Sequence, residues 1–208
     1  MKIYDISLPI REKMIGWPTD PKVKMRFKNK IDKGDVCNLT KVIMSAHSGT
    51  HIDAPYHFIN DGKTVEKLEL DCFYGDAAVY ELDCEKQINV KDLKRFKISG
   101  EKRVLFKTRN SKLWRKKHFD KRYVFFTGKS AQYLVDCGVK LVGIDYLSVE
   151  QFGNEKHPAH DVFLSNEIVL LEGLNLTGIS PGKYILSAFP LNFEGREGAP
   201  VRAVLIEK

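Results

Sequence analysis

Three of the chain's six histidines fall in one stretch, "SAHSGTHIDAPYHF" over residues 45–58, together with an aspartate. The four groups are His47, His51, Asp53 and His57. Imidazole and carboxylate together suit borderline divalent ions such as zinc, manganese or iron. His47 and His51 have the spacing of one helix face. Gly49 between them and Pro55 beyond make that helix a poor one. An extended segment fits better, because it points His51 and Asp53 to the same side. A tight turn at Gly49 then brings His47 in beside them. Two imidazoles and one carboxylate converge on a point.

A centre needing more ligands has three further candidates: His157, His160 and Glu172. Glu172 closes the apolar run "EIVLLEG" (167–173). A carboxylate buried there unpaired is costly, and a metal ion removes the cost. The alternative is a strand-end carboxylate that faces solvent or pairs with a lysine. His157 reads as a surface residue.

Short apolar runs rich in β-branched and aromatic residues must position these groups. They cover 2–9, 22–27, 39–46, 76–82, 103–108, 123–127, 140–145, 167–173, 182–189 and 200–207. "KVKMRF" (22–27) alternates as a half-buried strand does. Helices are fewer. Asn89 caps 89–96, Ser130 and Gly138 bound 130–138, Ser148 and Gln151 form a capping-box pattern, and Pro158 stands in the first turn of 157–166. Strands first and mixed elements later predict one α/β domain over residues 1–208, with a mixed sheet and helices packed on it.

At 208 residues, 43% hydrophobic and 29% charged, the chain is of ordinary globular make-up and long enough for a real core. No apolar run is long enough to span a bilayer, and "MKIYDISLPI" has no signal-peptide core, so a cytoplasmic protein without a membrane partner is expected. Cys37, Cys72, Cys84 and Cys137 form no C-x-x-C pair and read as buried free thiols. Part of the net charge of +7 lies in "KLWRKKHFDKRY" (112–123). No nucleic-acid motif accompanies that run, so it reads as a solvated surface loop rather than an RNA or DNA contact. It leaves room for attraction of small anions.

"HSGTHIDAPYH" (47–57) resembles the H-x-G-T-H-x-D-x-P-x-H signature of the cyclase-like metal-dependent hydrolases, of which the bacterial kynurenine formamidases are the best-known members. "YDISLPI" with "WPTD", "GIDYLSVEQF", "HPAHDVFLSNEIVLLEGLNL" and "GAPVRAVLI" are similar to other parts of that family, so the likeness covers nearly the whole chain. It implies a swivelling β/β/α fold, a homodimer or homotetramer, and two divalent ions per subunit, zinc or else manganese. His47, His51 and Asp53 then resemble ligands of the first ion, Asp53 bridging to the second. His160 resembles a ligand of the second ion, and Glu172 one that reaches both. His57 resembles the general acid/base and Trp17 the aromatic residue that contacts a small-molecule substrate. The implied reaction is N-formyl-L-kynurenine plus water giving L-kynurenine and formate. Family relatives open other formamides, esters and cyclic amides such as isatin, and a non-catalytic metal-binding protein is the other alternative. Specificity is expected from Tyr56 and from the loops around Trp17 and 192–198.

Overall fold

The computed structural model describes residues 1–207. In chain order its strands are β1 (Ile3–Asp5), β2 (Lys24–Asn29), β3 (Leu39–Ile43), β4 (His51–Asp53), β5 (Tyr74–Glu81), β6 (Gln87–Ile88), β7 (Arg103–Lys107), β8 (Phe125–Phe126), β9 (Leu141–Ile144), β10 (Val169–Glu172), β11 (Gly182–Ser187), β12 (Gly198–Pro200) and β13 (Val204–Glu207). The α-helices are α1 (Val90–Leu93), α2 (Gly128–Asp136) and α3 (Pro158–Ser165).

Nine strands form one mixed sheet in the order β1-β13-β11-β5-β7-β9-β10-β4-β12. The middle pairs, β5–β7–β9–β10, are parallel, and the pairs outside them are antiparallel. The parallel centre is buried on both faces, as such strands must be. Leu105, Leu141 and Leu171 pack into a cluster on one face. Val104, Phe106, Val142, Ile144 and Leu170 pack into a second cluster with Leu134 of α2 and Phe163 of α3. Each such side chain contributes about 1.5–3 kcal/mol by leaving water. The fold is thus the expected single α/β domain with a mixed sheet and few helices.

The differences in detail have local causes. The run 200–207 is interrupted after β12, because the chain leaves that edge strand to enter β13 between β1 and β11. Pro200 is tolerated because β12 is an edge strand. Thr127, not Ser130, caps α2; its hydroxyl accepts from the Ser130 amide, and Ser130 answers as the third residue of a capping box. Residues 148–151 form no helix, because the Glu150 carboxylate caps α3 instead, accepting from the Ala159 amide at 2.8 Å. The strand expected to 46 ends at Ile43, and β2–β3 is a separate two-stranded ribbon: β3 is exposed throughout, and β2, expected to be half-buried, has four exposed residues of six. The four cysteines are free, but Cys37 is exposed and the others only partly covered, so none is a core thiol. In 112–123 the cations face solvent while Leu113, Trp114, Phe119 and Tyr123 join a third apolar cluster under the site.

Candidate metal centre

The motif leaves β3, turns, and enters β4. Gly49 takes φ +75° at the turn, the left-handed conformation that glycine adopts without strain. Gly173, just after β10, has φ +68°, and a Cβ there would collide with the Gly49 carbonyl. The two turns therefore pack backbone to backbone. Thr50 secures them: its hydroxyl donates to Gly173 O at 2.6 Å and accepts from the Leu8 amide at 2.8 Å.

Register does the rest. β10 and β4 run antiparallel with Glu172 opposite His51. His160 enters from the first turn of α3, which packs against β10. The result is two groups of ligand atoms, each within 4.8 Å of one another: His47, His51 and Asp53, and Asp53, His160 and Glu172. They share Asp53. Its Oδ1 lies 2.8 Å from His47 Nδ1 and 3.4 Å from His51 Nε2, and its Oδ2 lies 3.8 Å from His160 Nε2. Glu172 spans the pair, with Oε2 3.6 Å from His51 Nε2 and Oε1 3.7 Å from His160 Nε2. His51, Asp53, His160 and Glu172 are all buried.

The residues fit divalent ions on three grounds. First, His47 Nε2, Asp53 Oδ2 and His160 Nδ1 are buried without a hydrogen-bond partner, a cost that proteins rarely leave uncompensated. Second, His51 is held in one tautomer: its Nδ1 lies 3.1 Å from Gly49 O, which can only accept, so Nε2 keeps its lone pair for the centre. Third, two buried carboxylates face each other. Burial, and then the Asp53 charge, push Glu172 well above the usual carboxylate range. Burial pushes Asp53 the same way, but the His57 and His47 imidazoles outweigh it and hold Asp53 well below that range. Cations between them let both carboxylates ionise.

His57 belongs to neither ligand group. A short 3-10 turn, Pro55–His57, lays its ring at 30° on the His47 ring, centroids 4.2 Å apart. Burial pushes its imidazole down to about 4 despite the nearby Asp53 charge, so it is neutral at pH 7. His57, His51, His160 and Glu172 line a cavity of about 230 Å³, with Trp17 on its wall. Trp17 is fixed by edge contact with Phe119 and a tilted contact with Phe152, both centroids at 5.3 Å. His157 also lines this cavity, half-buried, in a left-handed conformation at φ 42°. Tyr56 is 40% exposed and is absent from the lining.

Two carboxylates escaped sequence reasoning. Glu150, buried, accepts from the Ala159 and Gln151 amides and stands 3.8 Å behind His160 Nδ1. It backs the outer side of a histidine that could ligate an ion. An acid inside the apolar stretch "LSVEQF" was the available signal. Glu197 lies in the loop 192–198, with Oε1 3.5 Å from His47 Nε2, and that contact pulls its carboxyl down to about 2. Nothing in its neighbours, "GREG", points to this role.

Comparisons with known proteins place the chain in a family. A family model described as "Putative cyclase" matches residues 4–151. The chain is 38% identical to the kynurenine formamidase of Geobacillus thermodenitrificans, covering 97% of this chain and 95% of that one. It is 39% identical to cyclase-like protein 3 of Oryza sativa subsp. japonica, covering 99% and 80%. The solved structure of a predicted metal-dependent hydrolase from Bacillus stearothermophilus superposes with a TM-score of 0.85 at 32% identity, covering 98% and 97%. Among the described residues no helix is long and apolar enough to cross a membrane. The chain belongs to the cyclase family of metal-dependent hydrolases.

Proposed function

We propose that this protein is a two-metal amide hydrolase that converts N-formyl-L-kynurenine and water to L-kynurenine and formate. The observation that carries the reading is Asp53, shared by two ligand groups whose other members line a cavity together with His57 and Trp17. The name of the Geobacillus relative supports the substrate. His47, His51 and Asp53 would hold one ion and Asp53, His160 and Glu172 the other. Imidazole with carboxylate suits zinc, and manganese as the alternative. Ions bound there supply Lewis-acid polarisation of the carbonyl and lower the pKa of a water.

The chain's own residues do the remainder. His57, neutral and beside the centre, accepts the proton of the attacking water at a ring nitrogen. It returns that proton to the aryl-amine nitrogen as the C–N bond breaks. The C–O bond formed and the C–N bond lost leave formate and the free amine. Trp17 offers a flat face for the aryl ring. Buried walls keep bulk water from competing for the polar groups.

We also propose a homo-oligomer assembled through the β2–β3 ribbon. Phe27, Leu39, Val42 and Ile43 are each about half exposed or more on it. A lone two-stranded ribbon is marginal in water, and a second copy supplies the missing face. Light scattering on the purified protein checks this: a mass near one chain, 23.8 kDa, contradicts it.

The activity is tested by assaying purified protein on N-formyl-L-kynurenine, before and after chelation, with zinc or manganese returned. Turnover lost on chelation and restored by metal is expected. No turnover by metal-loaded protein overturns the substrate and directs the search to isatin-like lactams, other formamides and esters.

A further inference from the structure

A second cavity, of about 700 Å³, adjoins the metal centre. Trp17, Asp20 and His47 line both, so the two share a wall. Their chemistry differs. The inner cavity is walled by the imidazoles and carboxylates of the centre. The outer one is lined by Lys13, Lys22, Lys24, Lys117 and His118, with Glu12 and Asp20 as its only acids. Glu12 is already occupied, accepting from the Met25 amide at 2.9 Å. That leaves Asp20 as the acid free to meet a ligand in an otherwise basic chamber.

None of the cavity's four lysines forms an ion pair among the described residues. Elsewhere Lys63, Lys107, Lys116 and Lys183 pair with Glu167, Glu81, Asp120 and Glu101. Lys13 also sits at φ 62°, a conformation that a non-glycine side chain adopts at a cost. Residues 13–15 and Lys117 and His118 line the outer cavity on one side and a third cavity on the other, so Lys13 and Lys117 lie on a partition. The aromatic residues of 112–123 pack beneath, and Phe119 touches Trp17, so the segment that presents Lys117 is tied to the ring that borders the centre.

We propose that the outer cavity is a subsite for the α-amino-acid end of the substrate. Lys13 and Lys117 receive its carboxylate, and Asp20, on the shared wall, receives its ammonium. This rests on the hydrolase reading above and extends it. The scissile carbonyl lies at the metal centre, the ring passes Trp17, and the zwitterionic end occupies the outer cavity. A lysine ammonium is a flexible point charge, suited to a carboxylate whose exact orientation is not demanding. The exposed setting makes the attraction sensitive to salt.

The test compares two substrates in the metal-loaded protein. One is N-formyl-L-kynurenine; the other is N-(2-acetylphenyl)formamide, which keeps the aryl ketone and the formyl group but lacks the amino-acid end. The variants are K13A/K117A and D20N, none of them a ligand or His57. For N-formyl-L-kynurenine, KM is expected to rise at least tenfold in K13A/K117A and severalfold in D20N, with kcat within twofold of the parent. The neutral formamide should show kcat/KM within twofold of the parent throughout. Raising the salt concentration should raise KM for the zwitterion alone. Equal effects on both substrates, or no effect on either, overturn the subsite while leaving the hydrolase reading intact. If neither formamide is turned over by the metal-loaded parent, the formylkynurenine reading fails, and the subsite with it.

Discussion

His47, His51 and Asp53 reach their common point from one short stretch of chain, whereas Asp53, His160 and Glu172 come from a strand, a helix and a second strand. The first group is set largely by local geometry, a left-handed glycine and the two-residue period of β4, with Thr50 the one tie to the turn after β10. The second exists only once β10 has paired with β4 and α3 has packed on β10. The supports behind them also differ. His47 leans outward on Glu197, in a surface loop, while His160 is backed by buried Glu150. One half of the centre is therefore a property of the motif, and the other a property of the folded domain. Perturbing the sheet or α3 should damage the second group first.

Removing the shared residue erases the comparison and should have the largest effect. Asp53→Ala is expected to lose both ions together, and activity with them, read by metal analysis and by the formamidase assay. Next is His57→Ala, which removes no member of either group: kcat should fall about 10²–10⁴-fold with metal content unchanged. Loss of metal in that variant would make His57 a ligand instead.

Glu150→Gln sharpens the contrast. The amide oxygen still caps α3, but the charge behind His160 is gone. Affinity for one of the two ions should drop about 10–100-fold, in a titration that leaves the other unchanged. A uniform loss at both would remove the distinction between the halves.

A pH effect, the smallest of the four, probes the first half. In the metal-free protein, burial lowers His47, but the Asp53 charge, the hydrogen bond to Asp53 and the Glu197 carboxylate 3.5 Å away outweigh it and raise it from 6.5 to about 10. Because the folded value is the higher one, protonated His47 stabilises the metal-free fold fully below pH 6.5, and that contribution is lost as pH rises toward 10. The chelated protein should therefore melt at a lower temperature at pH 10 than at pH 6.5, a difference that His47→Gln should reduce. Metal binding must also displace this proton, so calorimetry at pH 7 should detect proton release.

The same division decides what could be read from sequence. The first group was legible because spacing, a turn glycine and strand periodicity all act within a few residues. His160 and Glu172 are candidates by residue type alone, but their roles come only with a family resemblance, since no local pattern ties a helix residue to a strand end. Glu150 and Glu197 act across the fold from unremarkable surroundings and were missed. Ser130 and Ser148 show the limit of capping patterns: each has the right type, but Thr127 and Glu150 win the amides that the structure presents. The ribbon failed for another reason. Alternation in β2 promises one buried face, yet only Met25 and Asn29 of its six residues are even partly buried. In 112–123 the aromatics were read with the cations as one surface run, but they point inward and support Trp17.

The most direct measurement counts metal ions per chain in the parent protein and in His160→Ala, alongside circular dichroism to show that both are folded. Two ions in the parent and one in the variant is the expected result. One ion in both, or two in both, would contradict a centre built as two ligand groups around Asp53.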